Sequence, residues 1–443
     1  MAVIGSGPAG SYAAGHLLRH SDPDLHVDLY ERLPTPWGLV RAGVAPDHPK
    51  IKSVTRLYER TAEHPRLRLF ANVEFGRHVT VEDLRRFYHA VVYAVGTPTD
   101  RPLGIPGEEL AGSYSATDFV GWYNGHPDFC ESRFELSGER AIVIGAGNVA
   151  LDVARMLVLT HDELAVTDVA DHALEAFDAS GVREVLVVAR RGPLQAAFTN
   201  PELLELGELL DADVIVDPAE LALGDGIEDP EADTTARRNV EILRGYAARP
   251  PAGKPRRVVL RFLLSPIEIR GSGRVESVLF ARNALEAGAD GTLRARATDE
   301  RIEIPAAAAF RAIGYRGTPL AGVPFDAARG LIANEGGRVR RGEYVVGWAK
   351  RGPSGVIGTN KKDANDTVDR ILEDLAAGRL LDPEPVSDEA LEAFVRERQP
   401  ELVDYEGWVR IDRHEQGLGE PAGRPRVKLT RLEDLLGALE RSA

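Results

Sequence analysis

Apolar residues in this 443-residue chain fall mainly in short continuous runs rich in β-branched side chains. That is the pattern of strands buried on both faces. Residues 2–4, 26–31, 90–95, 141–144, 182–189, 258–264 and 344–347 are such runs. Helical stretches follow the first and the fourth, over residues 11–19 and 151–158. Strands alternating with helices predict a mostly parallel sheet covered on both sides. Residues 275–282 and 301–304 predict shorter strands of a meander. Two segments crowded with proline and glycine, 96–107 and 313–319, predict junctions between domains. The acidic, turn-rich stretch 217–233 predicts a surface loop. Near the end, Ser387 caps a predicted helix with Asp388 and Glu389 in its first turn. The polar tail beyond carries no readable chemical motif.

Strand, glycine loop and helix occur together twice. Gly5-x-Gly7-x-x-Gly10 follows the first strand, with Pro8 and Ala9 between its glycines. The first glycine permits the tight turn, the second lets a pyrophosphate approach the backbone, and the third lets helix and strand pack closely. The phosphates then face the positive end of a helix. The next strand ends in Glu31, 26 residues after Gly5, where a carboxylate can accept hydrogen bonds from ribose hydroxyls. Gly145-x-Gly147-x-x-Ala150, with Asn148 and Val149 inside it, is the variant with alanine third. Its following strand ends in Arg190-Arg191. Two guanidiniums suit a dianionic 2′-phosphate, which an acid would repel. The second site therefore reads as NADP(H) rather than NAD(H). Two dinucleotide sites with opposite adenosine chemistry describe a flavoprotein with a second, nicotinamide-binding domain. The fold predicted is α/β, with two doubly wound Rossmann-like domains and the NADP domain (99–315) inserted into the FAD domain (1–98 and 316–443).

Composition narrows the function classes. Cys130 is the only cysteine, which excludes an internal disulfide, a redox CxxC pair, a four-cysteine zinc site and a cysteine-ligated iron–sulfur cluster. No apolar run reaches the ~18 residues of a membrane span, and no signal peptide is visible, so a cytoplasmic protein is expected. A net charge of −15 argues against nonspecific nucleic-acid binding.

Longer motifs carry a resemblance. Leu33-Pro34-Thr35-Pro36-Trp37-Gly38-Leu39-Val40-Arg41 leads into Gly43-Val44-Ala45-Pro46-Asp47-His48-Pro49. Later come Gly145-Ala146-Gly147-Asn148-Val149-Ala150-Leu151-Asp152, then Arg190-Arg191-Gly192-Pro193-Leu194-Gln195, then Gly347-Trp348 and Gly352-Pro353-Ser354-Gly355-Val356-Ile357-Gly358-Thr359-Asn360-Lys361-Lys362. In this order, over nearly the whole chain, they resemble adrenodoxin reductase and its bacterial relatives, the FprA-type ferredoxin–NADP reductases. The resemblance implies noncovalent FAD, hydride delivery from NADPH to flavin N5, and single-electron transfer to a ferredoxin-type iron–sulfur protein. It places FAD contacts on the first glycine loop, Glu31, Leu39, Val73, Trp348, Gly355, Val356 and Ile357. It places NADP contacts on Arg101, the second loop with Asn148, Arg190, Arg191, Glu202 and Gly355.

Two residues are candidates for chemistry. His48 is held between Pro46 and Pro49, and histidine is a residue type suited to handling the flavin N5 proton. Glu202 is its candidate partner, or else positions the nicotinamide amide. If Gly355 opens a helix aimed at the flavin, the helix dipole would stabilise an anionic reduced ring. Ferredoxins are usually acidic, so docking on an acidic chain needs a local basic patch. Residues 50–68 hold six cations against two acids, and Lys52, Arg56 and Arg60 recur at helical spacing. Arg237, Arg238 and Arg244 form a second cluster. The alternatives are a flavin oxidoreductase with a quinone or small-molecule acceptor, and a noncatalytic module binding FAD and NADP.

Overall fold

The computed structural model describes residues 1–21, 24–222, 232–288, 292–355 and 357–441. The chain divides into two compact units: Met1–Thr99 with Asn124–Pro127 and Gly314–Ala443, and Asp100–Tyr123 with Asp128–Ile313.

In the first unit the strand Ala2–Ile4 is the centre of a six-stranded sheet. Its parallel neighbours are Val27–Tyr30 on one side and Val91–Tyr93 on the other. Leu67–Phe70 and Glu343–Val345 extend the sheet in parallel, and Arg338–Arg340 adds an antiparallel edge. Val3, Val27, Val91 and Val92 are fully buried, as expected of strands covered on both faces. The helix Pro8–Leu17 packs on Ile357–Ala376. The order in which strands are added reverses at the first strand, and at such a switch point an open α/β sheet leaves its ligand crevice.

Behind Glu343–Val345, Asp374 is buried and accepts from Arg338 Nε (2.8 Å), Arg379 Nη2 (2.6 Å) and Tyr344 Oη (2.8 Å). Burial alone would raise its carboxyl, but the bonds from Arg338, Arg379 and Tyr344 outweigh that and hold its pKa at about 2 against an ordinary 3.8. A folded-state pKa below the unfolded value stabilises above pH ~4, and that stabilisation is lost as pH falls toward 2. At neutral pH it is worth about 2 kcal/mol. Urea titrations of Asp374→Asn should show a loss of that size at pH 7 and a flatter acid limb. An unchanged acid limb would contradict the assignment.

The second unit carries six parallel strands in the order Ser113–Ser115, Ala308–Arg311, Arg140–Ile144, Glu184–Val188, Arg256–Arg261, Ala212–Val216. An antiparallel meander follows over Leu264–Arg270, Ser277–Ala287 and Leu293–Pro305.

Several sequence expectations are corrected here. The apolar run 258–264 is not one strand. It ends at Arg261, turns through Leu263 at φ +58, and restarts in the meander at Leu264. The meander strands are longer than predicted, because their outer ends alternate polar residues over a solvated face. The stretch 217–233 is not simply a loop. Pro218–Ala222 is helical, and Glu220, 3% exposed, accepts from Arg261, from Arg282 and from the Phe262 N–H. Residues 223–231 lie outside the described residues.

The basic segment 50–68 also differs from expectation. Lys52 ends the short helix Pro49–Lys52, whereas Arg56 and Arg60 lie on Thr55–Ala62, so the three share no single helix. Arg66 is spent on Asp24 (2.7 Å) and three carbonyls, and Arg68 on Asp28 (2.7 Å). The exposed positive charge is therefore smaller than the count of cations suggests. Ser387 caps Asp388–Arg398 as predicted.

Candidate functional site

Both glycine loops end in helices without a side-chain cap. Gly7 precedes Pro8–Leu17 and Gly147 precedes Asn148–Val158, and neither helix has a side-chain acceptor at its start. By contrast Thr80, Thr160, Asp233, Ser387 and Asp404 each close a helix with a side-chain oxygen. First-turn N–H groups without a capping oxygen at a positive helix end are the donor set of a phosphate site.

The glycines are required by contact. Gly5 has φ +106, and a Cβ on Gly10 would lie 1.9 Å from the Gly5 carbonyl oxygen. A Cβ on Gly147 would meet nothing within 4 Å. It would occupy the approach to the helix end rather than the protein. Gly147→Ala should therefore leave thermal stability within about 0.5 kcal/mol while raising the KM for NADPH roughly tenfold. A KM equal to wild type would remove the pyrophosphate from this loop.

Glu31 stands at the end of Val27–Tyr30. Its Oε2 accepts from Ser6 Oγ (2.6 Å) and Ser6 N–H (3.2 Å), and its Oε1 from Leu33 N–H (3.1 Å). Ser6 Oγ in turn accepts from Trp37 N–H at 3.1 Å. Glu31 thus ties the first loop to the segment that carries Leu39, while Oε1, which takes one bond where Oε2 takes two, keeps further acceptor capacity. Leu39 is 42% exposed at the start of Leu39–Ala42, whereas Val73 is buried and gives its N–H to the Glu31 carbonyl at 2.8 Å. The indole Nε1 of Trp348 is buried with no hydrogen-bond partner among the described residues, an orphan donor in the same unit. Gly355 has φ +79 and Ile357 begins the helix Ile357–Ala376. Val356 lies outside the described residues.

In the second unit Asn148 is turned toward its own fold. Its Oδ1 accepts the Thr199 N–H at 2.8 Å, and Thr199 is the N-cap of Asn200–Glu205. The second loop is thereby fastened to the helix that carries Glu202. Val149 packs partly buried on the core and Ala150 is fully buried. Arg190 and Arg191 follow Glu184–Val188 after the single residue Ala189. Arg190 is exposed and Arg191 half-buried, and among the described residues neither guanidinium meets a carboxylate. Arg101 is exposed just past Asp100.

His48 is 8% exposed at the start of Pro49–Lys52, and its carbonyl accepts from Ile51 and Lys52. Glu202 is also 8% exposed, in the first turn of its helix. Arg155, 3% exposed, stands 3.6 Å from Glu202 and 2.9 Å from Asp152. Sequence reasoning missed Arg155, although Asp152 and Arg155 at i, i+3 give a local signal. It also missed Glu415, fully buried and bonded by Nη1 and Nη2 of Arg41 (2.9 and 2.6 Å), two residues from Leu39. Burial pushes the Glu415 carboxyl up, yet Arg41 and Arg426 outweigh it and leave it below the ordinary range.

A family profile described as pyridine nucleotide-disulphide oxidoreductase matches residues 1–187. With one cysteine the chain has no dithiol pair for disulphide chemistry. The chain is 52% identical to NADPH-ferredoxin reductase FprA of Mycobacterium leprae, covering 98% of this chain and 97% of the relative. It is 41% identical to the mitochondrial NADPH:adrenodoxin oxidoreductase of Salvelinus fontinalis, over 98% and 90%. The solved structure of Mycobacterium tuberculosis FprA in complex with NADPH superposes with a TM-score of 0.95 at 51% identity, over 99% of each chain. A Glu31-ended loop, an arginine-ended loop and full-length likeness to these enzymes agree: the chain belongs to the adrenodoxin reductase-like ferredoxin–NADP reductase family.

Proposed function

We propose that the first unit holds FAD on the Gly5–Gly10 loop and Glu31, and that the second holds NADP(H) on the Gly145–Ala150 loop with Arg190 and Arg191. The protein is an oxidoreductase that moves electrons from NADPH through FAD to a ferredoxin. One observation carries the division of labour. Two uncapped helix ends are followed by strand ends of opposite charge, Glu31 in one unit and the unengaged arginine pair in the other. A carboxylate takes neutral ribose hydroxyls, and paired guanidiniums take a 2′-phosphate.

FAD, when bound, accepts a hydride and releases its electrons singly. The chain's own residues bind, orient and move protons. The Trp348 indole N–H supports a donor role toward the flavin, because it has no hydrogen-bond partner among the described residues. Buried His48, stiffened by Pro46 and Pro49, is assigned to proton handling, and Glu202 to orienting the nicotinamide, steadied by Arg155. The iron–sulfur partner docks on exposed cations. Arg56 and Arg60 remain exposed on Thr55–Ala62, as do Arg237, Arg238 and Arg244 on Thr234–Ala247, where Arg238 also pairs with Glu241. Lys52 contributes less, since its ammonium donates to Asn124 at 3.3 Å.

Ferredoxin-coupled cytochrome c reduction tests this reading against a quinone or small-molecule acceptor. Reversing Arg237 and Arg238 to glutamate should lower the ferredoxin-dependent rate about tenfold at low salt. NADPH-driven ferricyanide reduction should stay at the wild-type rate. Equal ferredoxin rates in wild type and variant would move docking to another surface, and no ferredoxin reduction at all would favour the small-molecule acceptor.

A further inference from the structure

The loop that carries Arg190 and Arg191 is gripped from behind by the meander of its own unit. Asn283 donates from Nδ2 to the Arg190 carbonyl oxygen at 2.6 Å and to Ser265 Oγ at 2.8 Å. The Leu263 N–H donates to the Arg191 carbonyl at 3.1 Å, and the Asn283 N–H donates to the Leu263 carbonyl at 2.8 Å. Three consecutive backbone positions are thereby fixed, because the Gly192 N–H also donates to Gln195 Oε1 at 3.0 Å.

Two features of this bracket cost stability. Leu263 is a buried leucine at φ +58, where its Cβ crowds the backbone. Asn283 is 4% exposed, and its Oδ1 is buried with no hydrogen-bond partner among the described residues. An apolar side chain would fill the site without an orphaned acceptor. It would not hold the Arg190 carbonyl. Strain that persists in an over-determined setting points to a functional position. The chemistry it supports is that of the arginine pair. A free arginine side chain carries about 2 kcal/mol of rotamer entropy, so a fixed root improves aim at a small dianion.

We propose that Asn283 is a positioning residue for 2′-phosphate recognition. By pinning the Arg190 carbonyl it fixes the backbone from which both guanidiniums project, and so sets the preference for adenosine ligands that carry a 2′-phosphate. The proposal rests on the reading of Arg190 and Arg191 given above.

Calorimetric titration of the FAD-loaded full chain with adenosine 2′,5′-bisphosphate, and separately with 5′-AMP, tests it. Wild type binds the bisphosphate more tightly. Asn283→Ala lowers bisphosphate affinity about tenfold and leaves 5′-AMP affinity unchanged. Asn283→Asp keeps the shape but turns an acceptor toward the Arg190 carbonyl, and it shows the same selective loss should the alanine variant not fold. Ser265→Ala, which spares the bond to Arg190, keeps the wild-type ratio. A wild-type ratio in both Asn283 variants, or an equal loss of the two ligands, overturns the proposal while leaving the arginine reading intact. Equal affinities in the wild type overturn the arginine reading itself, and the proposal with it.

Discussion

Alanine at both Arg190 and Arg191 raises the KM for NADPH by about two orders of magnitude and leaves kinetics with NADH nearly unchanged. Each charge-assisted hydrogen bond to a phosphate contributes roughly 1.5–3 kcal/mol. Solvent around the exposed Arg190 reduces its share, so about 3 kcal/mol for the pair is a fair sum, or roughly a hundredfold. NADH lacks the 2′-phosphate and loses nothing. Steady-state kinetics with both cofactors check this, and high salt should narrow the wild-type preference because the contact is ionic. Equal losses with NADPH and NADH would mean that the pair supports the loop rather than reading the phosphate.

The second large effect is on the flavin. Gly10→Ala places a Cβ 1.9 Å from the Gly5 carbonyl oxygen, a backbone atom that cannot rotate aside. The helix Pro8–Leu17 must shift away from the strand Ala2–Ile4, carrying its first-turn N–H groups out of line. Overpacking of this kind costs about 3 kcal/mol, and the phosphate cradle is lost with it. The variant should purify without the yellow flavin absorbance and melt well below wild type. Gly147→Ala, at the second glycine of the other loop, meets open space and should do neither. A yellow Gly10→Ala protein with wild-type melting would overturn the close-packing argument.

How much of this was legible in the sequence follows from how far apart the partners lie. The glycine loops, Glu31 and the arginine pair are local patterns, each set by a strand, a turn and a helix start, and the structure gives each that local setting. Asn283 grips Arg190 from 93 residues away, and Glu415 holds Arg41 from 374. No periodicity links such pairs, so only the folded chain joins them. Glu220 sits in an acidic stretch that composition assigns to the surface, yet three donors from the sheet draw it inside. The basic segment 50–68 misled in the opposite sense. Counting charges treats every arginine as free, whereas Arg66 and Arg68 are spent on buried carbonyls and Asp28. Lys52 fell off the common helix face because the chain starts a new helix at Thr55.

The central claim is that NADPH, read by its 2′-phosphate, delivers electrons to FAD in this chain. The direct measurement is anaerobic stopped-flow mixing of the FAD-loaded protein with NADPH, and separately with NADH, at equal subsaturating concentration, followed at the flavin absorbance. Rapid bleaching by NADPH with bleaching at least tenfold slower by NADH is the predicted result. Equal rates would contradict the arginine reading, and a yellow protein that neither cofactor bleaches would contradict hydride transfer altogether.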